Sequence, residues 1–348
     1  MKKVKNWKKS LLKKNSTIKK AFENLERSAL QIILVYEENY KLVGTITDGD
    51  LRRGLLNGAS FKDKISKIVN YESIVISKNL DKNSIKKLLQ FNRIKALPIV
   101  DKNRKILGLV CSDNYEELLY SETPVVIMCG GMGKRLSPIT QKIPKAMIEI
   151  KGKPMIEHII KKFTNEGFTN FILSVNYLKK KIKNYFKNGK KWNIKISYLE
   201  EKKPLGTIGS LSLLNKIKRD FFVVNCDVIT NLKFNELLNF HKDHGADITV
   251  GANIIEQINS FGQIITKGLD IQKFEEKPLE KKYFNAGIYV FKKNTLKYIK
   301  KNTRLDAPDL INSLIRYKKK SIIFPIHERW NDVGIHSELN KFTKEIND

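Results

Sequence analysis

Pro124-Val125-Val126-Ile127-Met128 runs straight into Cys129-Gly130-Gly131-Met132-Gly133-Lys134-Arg135-Leu136-Ser137-Pro138-Ile139-Thr140, and Pro144-Lys145 follows. A short, wholly apolar strand that stops at a glycine-rich loop is how an α/β sheet presents backbone N–H groups at its carboxyl edge to a phosphate or a base. Glycine is needed because it admits positive φ and lets a ligand approach the main chain. The loop lacks the third glycine of G-x-G-x-x-G and does not fit G-x-x-x-x-G-K-[ST], so P-loop chemistry is disfavoured.

The surrounding chain is long enough for two cores: 348 residues, 41% of them apolar. With 66 Lys and Arg against 36 Asp and Glu the formal charge is +30, a field that attracts anions. Only 10 of those cations are Arg, too few and too scattered for bidentate base reading, so no nucleic-acid partner is expected. Leu11-Leu12 is followed at once by Lys13-Lys14, which leaves no apolar core for a signal peptide, and no run of 18 apolar residues occurs. A cytoplasmic protein with no membrane partner is the expectation. Cys111, Cys129 and Cys226 are widely spaced and read as reduced thiols. His241 and His244 lack a third ligand and read as surface residues. The Lys-rich segment Leu178 to Lys191 spaces Ile182, Tyr185 and Phe186 as one narrow stripe, a helix packed on a sheet.

Upstream lies a repeat of some 65 residues. The first copy runs through a helical Ile18 to Leu25, a strand Gln31 to Tyr36, a turn, and Leu42-Val43-Gly44-Thr45-Ile46-Thr47-Asp48-Gly49-Asp50. The second runs through a helical Asn83 to Gln90, a strand Leu97 to Val100, a turn, and Ile106-Leu107-Gly108-Leu109-Val110-Cys111-Ser112-Asp113-Asn114. Each copy alone buries too little surface, so the two should pack on each other. Gly44-x-x-Thr47-x-x-Asp50 and Leu97-Pro98-Ile99-Val100-Asp101 resemble a tandem pair of CBS domains. That resemblance implies an adenine nucleotide, with Thr47 near a phosphate and Asp50 on the ribose hydroxyls; a pair used only for dimerisation is the competing reading. Copy two has Cys111 and Asn114 at the matching positions, which predicts a weak or absent second site.

Downstream, the glycine loop through Lys145 resembles the signature of sugar-1-phosphate nucleotidyltransferases. The match continues through Gly152 to His158, Leu205 to Leu211, Val224 to Asp227, Phe274 to Pro278, Asn285 to Phe291 and Trp330 to Gly334, all in family order. The implied reaction is attack by a sugar-1-phosphate oxygen on the α-phosphorus of a nucleoside triphosphate, with release of pyrophosphate. The attacking phosphate is already an anion, so charge neutralisation and alignment are what the protein must supply. The resemblance assigns Arg135 to the triphosphate tail and Lys145 to the reacting phosphates. Gly130, Gly131, Gly133, Gly206 and Thr207 fall to the nucleotide, the last two opening a helix. Glu276, Asn285 and Gly287 fall to the sugar, and Lys277 to its 1-phosphate. Asp227 and Asp332 are the implied Mg²⁺ ligands, since two hard carboxylates with phosphate oxygens and water suit that ion. Glu200 and Glu201 offer carboxylates to a guanine edge, although exposed charge is the plainer reading of both.

These readings together predict an α/β fold: a Rossmann-like nucleotidyltransferase domain with a central, mainly parallel sheet over 122–348, preceded by CBS copies over 1–66 and 67–119. A homodimer through the CBS pairs is expected. Among fusions of this layout, the chain resembles the bacterial guanylyltransferases of the legionaminic acid pathway, which implies GTP and glucosamine-1-phosphate as substrates. A uridylyl-, thymidylyl- or cytidylyltransferase on another sugar or alcohol phosphate, or a catalytically silent nucleotide sensor, are the alternatives.

Overall fold

The computed structural model describes residues 2–78, 80–92, 94–111, 122–214, 217–258, 260–334 and 336–339. The chain forms two compact units, Met1–Leu118 and Leu119–Asp348.

In the first unit the repeat is visible as repeated topology. Strands Ile32–Tyr36 and Leu42–Thr47 form an antiparallel pair, and Leu11–Lys13 adds in parallel to the former. Ala96–Val100 and Ile106–Cys111 form the second such pair, with Ile76–Ser77 added in the same way. Each pair carries a bulge near its first turn, at Val35/Tyr36 and at Ile99/Val100. Helix Ile18–Ser28 precedes the first pair and Lys82–Phe91 the second. Leu34 and Leu42 share one buried cluster with Val100, Ile106 and Leu109, so the copies do bury each other. The position of Asn114 lies outside the described residues.

The second unit is built on a seven-stranded sheet in the order Lys195–Glu200, Asn170–Val175, Val125–Met128, Phe221–Asn225, Leu279–Phe291, Ile248–Ile258, Ser321–Ile326. Four of its six pairings are parallel; the two made by Leu279–Phe291 are antiparallel. The sheet is thus mainly parallel, with one reversed strand. Val125–Met128 is apolar throughout and Phe221–Asn225 over its first four residues because both faces are covered, the requirement that made Val125–Ile127 readable as a buried strand. One face carries Phe163, Phe171, Phe222 and Phe234, with the Phe163 and Phe234 rings stacked; the other carries Phe221, Phe291, Leu310 and Leu314. Helix Lys179–Phe186 seats Ile182 and Phe186 in the first of these layers, as its narrow stripe predicts.

Two expectations are corrected. His241 is not on the surface: it is buried, its Nδ1 lies 2.8 Å from the Thr249 hydroxyl, and burial pulls its pKa down to about 4. Gly206 and Thr207 do not open a helix. Gly206 turns the chain with φ 82°, and a 3-10 helix begins only at Gly209.

Candidate active site

The glycine loop leaves the carboxyl end of Val125–Met128, between Asn170–Val175 on one side and Phe221–Asn225 on the other. Here the strand order switches direction, and such a point opens a crevice at the sheet's carboxyl edge. Gly133 has φ 65°, and a Cβ there would come within 2.8 Å of Thr140, whose hydroxyl donates to the Gly133 carbonyl at 3.0 Å. Thr140 therefore locks the loop from behind. A Cβ on Gly131 would meet nothing within 4 Å, so this glycine leaves bare backbone facing open space. A Cβ on Gly130 would lie 2.8 Å from Glu201 Oε1.

Glu201 is the residue that the plainer sequence reading missed. It is buried beside Gly130; the Ser174 hydroxyl donates to its Oε1 and the Leu205 amide to its Oε2, each at 3.0 Å. The Ser174 hydroxyl lies 2.8 Å from that of Ser210, which extends the network behind the carboxylate. Glu200, one residue earlier, follows the exposed-charge reading. Lys183 and Lys179 donate to it at 2.5 and 2.9 Å and hold its carboxyl down at about 2. The signal separating the two was Glu201-x-x-Pro204-Leu205-Gly206, a turn that folds back onto the Glu201 carboxylate.

Asp227 lies just past Phe221–Asn225, buried at the same sheet edge. Lys145 makes a direct ion pair with its Oδ2, and the exposed Arg135 guanidinium lies 3.9 Å from the same oxygen. Asp332 arrives from the far end of the chain. Val228–Thr230 pairs antiparallel with Trp330–Asp332, setting Val228 opposite Asp332, and the Val333 amide donates to the Asp227 carbonyl at 3.0 Å. Burial and the adjoining Asp227 carboxylate push the Asp332 carboxyl above its usual range. Gly334 closes this corner. A Cβ on it would fall 2.5 Å from Asp227 Oδ2 and from Lys145 Nζ. Two carboxylates pressed together beside a Lys and an Arg form a hard-oxygen pair that suits Mg²⁺, so these residues fit the ion that the resemblance implies.

Gly287 is also explained by space: with φ 69°, a Cβ there would lie 2.6 Å from the Asn225 side chain. Asn285 donates to the Tyr289 hydroxyl at 2.7 Å and accepts from the Gly287 amide at 3.0 Å, which fixes its amide group. Glu276 and Lys277 are exposed, and among the described residues no hydrogen bond or ion pair joins them to the Asp227 group. Thr207 serves a structural contact: its hydroxyl accepts from the Ala307 amide and its own amide donates to Asp306, both at 2.8 Å. It thereby completes the N-terminus of helix Ala307–Arg316.

In the first unit, Thr47 and Asp50 face each other. Together they form a capping box on helix Asp48–Leu56, with the Thr47 amide donating to Asp50 Oδ2 at 2.8 Å and the Asp50 amide to the Thr47 hydroxyl at 3.3 Å. Asp50 Oδ1 also accepts from Arg53 at 2.6 Å. The Thr-x-x-Asp spacing is therefore accounted for by the helix start itself.

The fold and this corner define an α/β protein that gathers cations and carboxylates at the carboxyl edge of a topological switch. A family model for nucleotidyl transferases matches residues 124–348, and the chain belongs to that family. A CBS-domain model matches residues 11–57. Mannose-1-phosphate guanyltransferase 2 of Candida glabrata is 36% identical over 224 residues, and the Saccharomyces cerevisiae mannose-1-phosphate guanyltransferase is 34% identical over 220. Each alignment covers 60% of this chain and 60% of the relative, so the chain spans less than two thirds of the length of the curated relatives it matches. Among solved structures, a Bacillus anthracis protein described as a glucose-1-phosphate thymidylyltransferase superposes with TM-score 0.53 at 20% identity, over 65% of this chain and 96% of that one. HddC of Yersinia pseudotuberculosis, also solved with GMP-PN, superposes with TM-score 0.51 at 22% identity, over 64% and 99%. At these identities the two superpositions establish the fold.

Proposed function

We propose that the protein is a sugar-1-phosphate guanylyltransferase, transferring GMP from GTP to a sugar-1-phosphate and releasing pyrophosphate. One observation carries the reading: Lys145 and Arg135 converge on Asp227 where Asp332 and the glycine loop meet. A sugar-1-phosphate oxygen forms the new bond to the α-phosphorus while the bond to pyrophosphate breaks, and no proton has to be removed from the nucleophile. Arg135, a fork of donors on the loop, binds the triphosphate tail. Lys145 donates to the phosphate oxygens at the reacting centre, where one preorganised donor is worth about 10²- to 10³-fold in rate. Mg²⁺, held by Asp227 and Asp332, supplies further charge neutralisation when bound. Gly131 and Gly133 keep backbone open to the phosphates, and Gly206 and Thr207 shape the nucleotide side of the crevice. Asn285 and Gly287 border the sugar, with Glu276 and Lys277 reaching its hydroxyls and 1-phosphate.

Glu201 favours guanine among the bases. A buried carboxylate beside the loop accepts from the adjacent N–H donors that a guanine edge presents. For the sugar we favour glucosamine-1-phosphate, on the layout of an upstream CBS pair, which would place the product in legionaminic acid or other surface-glycan synthesis. The relatives named mannose-1-phosphate guanyltransferases make mannose-1-phosphate the rival. The segments 1–66 and 67–119 act in this proposal as a CBS pair that dimerises and takes an adenine nucleotide near Thr47 and Asp50. Pyrophosphate release should be measured with Mg²⁺ for GTP, UTP, CTP and dTTP, each against glucosamine-1-phosphate, mannose-1-phosphate and glucose-1-phosphate. Turnover highest with GTP is expected; a folded protein inactive in every pairing would sink the proposal. Calorimetry of the full chain with ATP, ADP and AMP tests the adenine-nucleotide site, and absence of heat with all three rejects that site and leaves a pair used only for dimerisation.

A further inference from the structure

Behind Glu201 stand two serine hydroxyls in series. Ser174, on the strand Asn170–Val175, and Ser210, in the 3-10 helix Gly209–Leu213, have no exposed surface. The Ser174 hydroxyl donates to Glu201 Oε1 at 3.0 Å and lies 2.8 Å from the Ser210 hydroxyl. A carboxylate only accepts and a hydroxyl has one proton to give. With the Ser174 proton committed to Glu201, Ser210 must donate to Ser174, so both protons are directed along one line toward the carboxylate.

The backbone here is already held without those hydroxyls. The Cys129 amide donates to the Ser174 carbonyl at 2.9 Å, which anchors the start of the glycine loop, and the Glu201 amide donates to the Val175 carbonyl at 3.1 Å. The end of one strand thus ties down both the loop and the Glu201 main chain. Alanine would fill either serine position without a polar group to desolvate, so two buried hydroxyls are an expense that the fold itself does not require. What they add is a fixed orientation for the Glu201 side chain.

The carboxylate has its two oxygens held from separate directions, Oε1 by Ser174 and Oε2 by the Leu205 amide. A carboxylate offers about four acceptor positions, two on each oxygen, so each oxygen of Glu201 keeps one position after its buried donor is served. Guanine presents two adjacent donors, N1–H and the exocyclic amino group, and matches that pair of acceptors. Hypoxanthine presents N1–H alone. Uracil presents one N–H flanked by two carbonyl oxygens, which a carboxylate repels. Released from Ser174, Glu201 would pivot on its bond to Leu205, and a two-point contact would become a one-point contact.

We propose that Ser174 and Ser210 are positioning residues for base selection, holding both oxygens of Glu201 so that they accept together from N1–H and the amino group of guanine; the inference rests on the guanine reading of Glu201. Calorimetric titration of the full chain with GTP, ITP and UTP tests it, with Mg²⁺ present and no sugar phosphate, so that binding is read without turnover. The wild type should bind GTP more tightly than ITP, and UTP most weakly. Ser174→Ala should weaken GTP about tenfold, the scale of one hydrogen bond to a charged group. ITP should lose less, which brings the two affinities together, and UTP should stay as it was. Ser210→Ala should shift the GTP-to-ITP ratio the same way by about two- to threefold, since it removes only the support behind the Ser174 donor. A role in packing alone would weaken all three nucleotides alike. Equal losses, or a GTP-to-ITP ratio unchanged in both serine variants while Glu201→Gln erases the preference for GTP, would overturn the inference and leave the guanine reading standing. A wild type without preference for GTP, or a Glu201→Gln variant that keeps it, would remove that reading and this inference with it.

Discussion

The Val333 amide donates to the Asp227 carbonyl at 3.0 Å, and through this bond the last described strand of the chain is held against the carboxyl edge of the sheet. Asp332 meets Asp227 because of it, and Gly334 is left over the Lys145–Asp227 pair.

Gly334→Ala therefore tests the corner without removing any charged group. The added Cβ would fall 2.5 Å from Lys145 Nζ and from Asp227 Oδ2. The lysine end can swing aside, so stability should change by less than about 1 kcal/mol. Turnover should fall roughly 10²-fold, the scale of one displaced donor. Pyrophosphate-release kinetics beside a thermal melt separate the two effects, and equal loss in both would contradict this account.

Glu201→Gln should lower kcat/KM for GTP by roughly 10- to 100-fold, since hydrogen bonds to a charged group are worth about 1.5–3 kcal/mol. Activity with UTP should change far less. Glu200→Gln, which removes exposed ion pairs with Lys179 and Lys183, should leave the GTP preference as it was. Competition between GTP and UTP in one reaction reads the ratio directly.

His241 sets a pH dependence of stability. Its pKa falls from the ordinary 6.5 to about 4, burial being the main cause, so between those values the unfolded chain binds a proton that the native state refuses. Stability is fully present above pH 6.5 and drains away as pH falls toward 4. Replacing His241 by Gln should flatten that part of the melting-temperature profile; an unchanged slope would show that other groups govern it.

Thr47→Ala should destabilise the first unit by about 0.5–2 kcal/mol through loss of the helix cap. Denaturant unfolding followed by amide exchange in Asp48–Leu56 measures it. Full protection retained in that helix would show the cap to be dispensable.

Much of this protein is local and was therefore readable from residue order. A strand covered on both faces must be apolar throughout, and a loop that bends at positive φ must use glycine, so Val125 to Gly133 declares its own structure. The repeat of the first unit is likewise legible, because each copy carries its strand, turn and strand within a short stretch. Arg135 and Lys145 lie close in sequence to the loop they serve. What only the tertiary structure decided depends on surfaces brought together from afar. Glu200 and Glu201 are chemically identical neighbours; the backbone sends one to solvent lysines and the other under Gly130. His241 is buried by the strand that carries Thr249, which no spacing announces. Asp332 acquires its partner through a short antiparallel pairing with a segment far up the chain, and Ile271 and Phe274, ordinary strand residues by pattern, stand exposed because the sheet ends before it reaches them. Burial is a property of what packs on a residue, and that is settled only when the whole chain has folded.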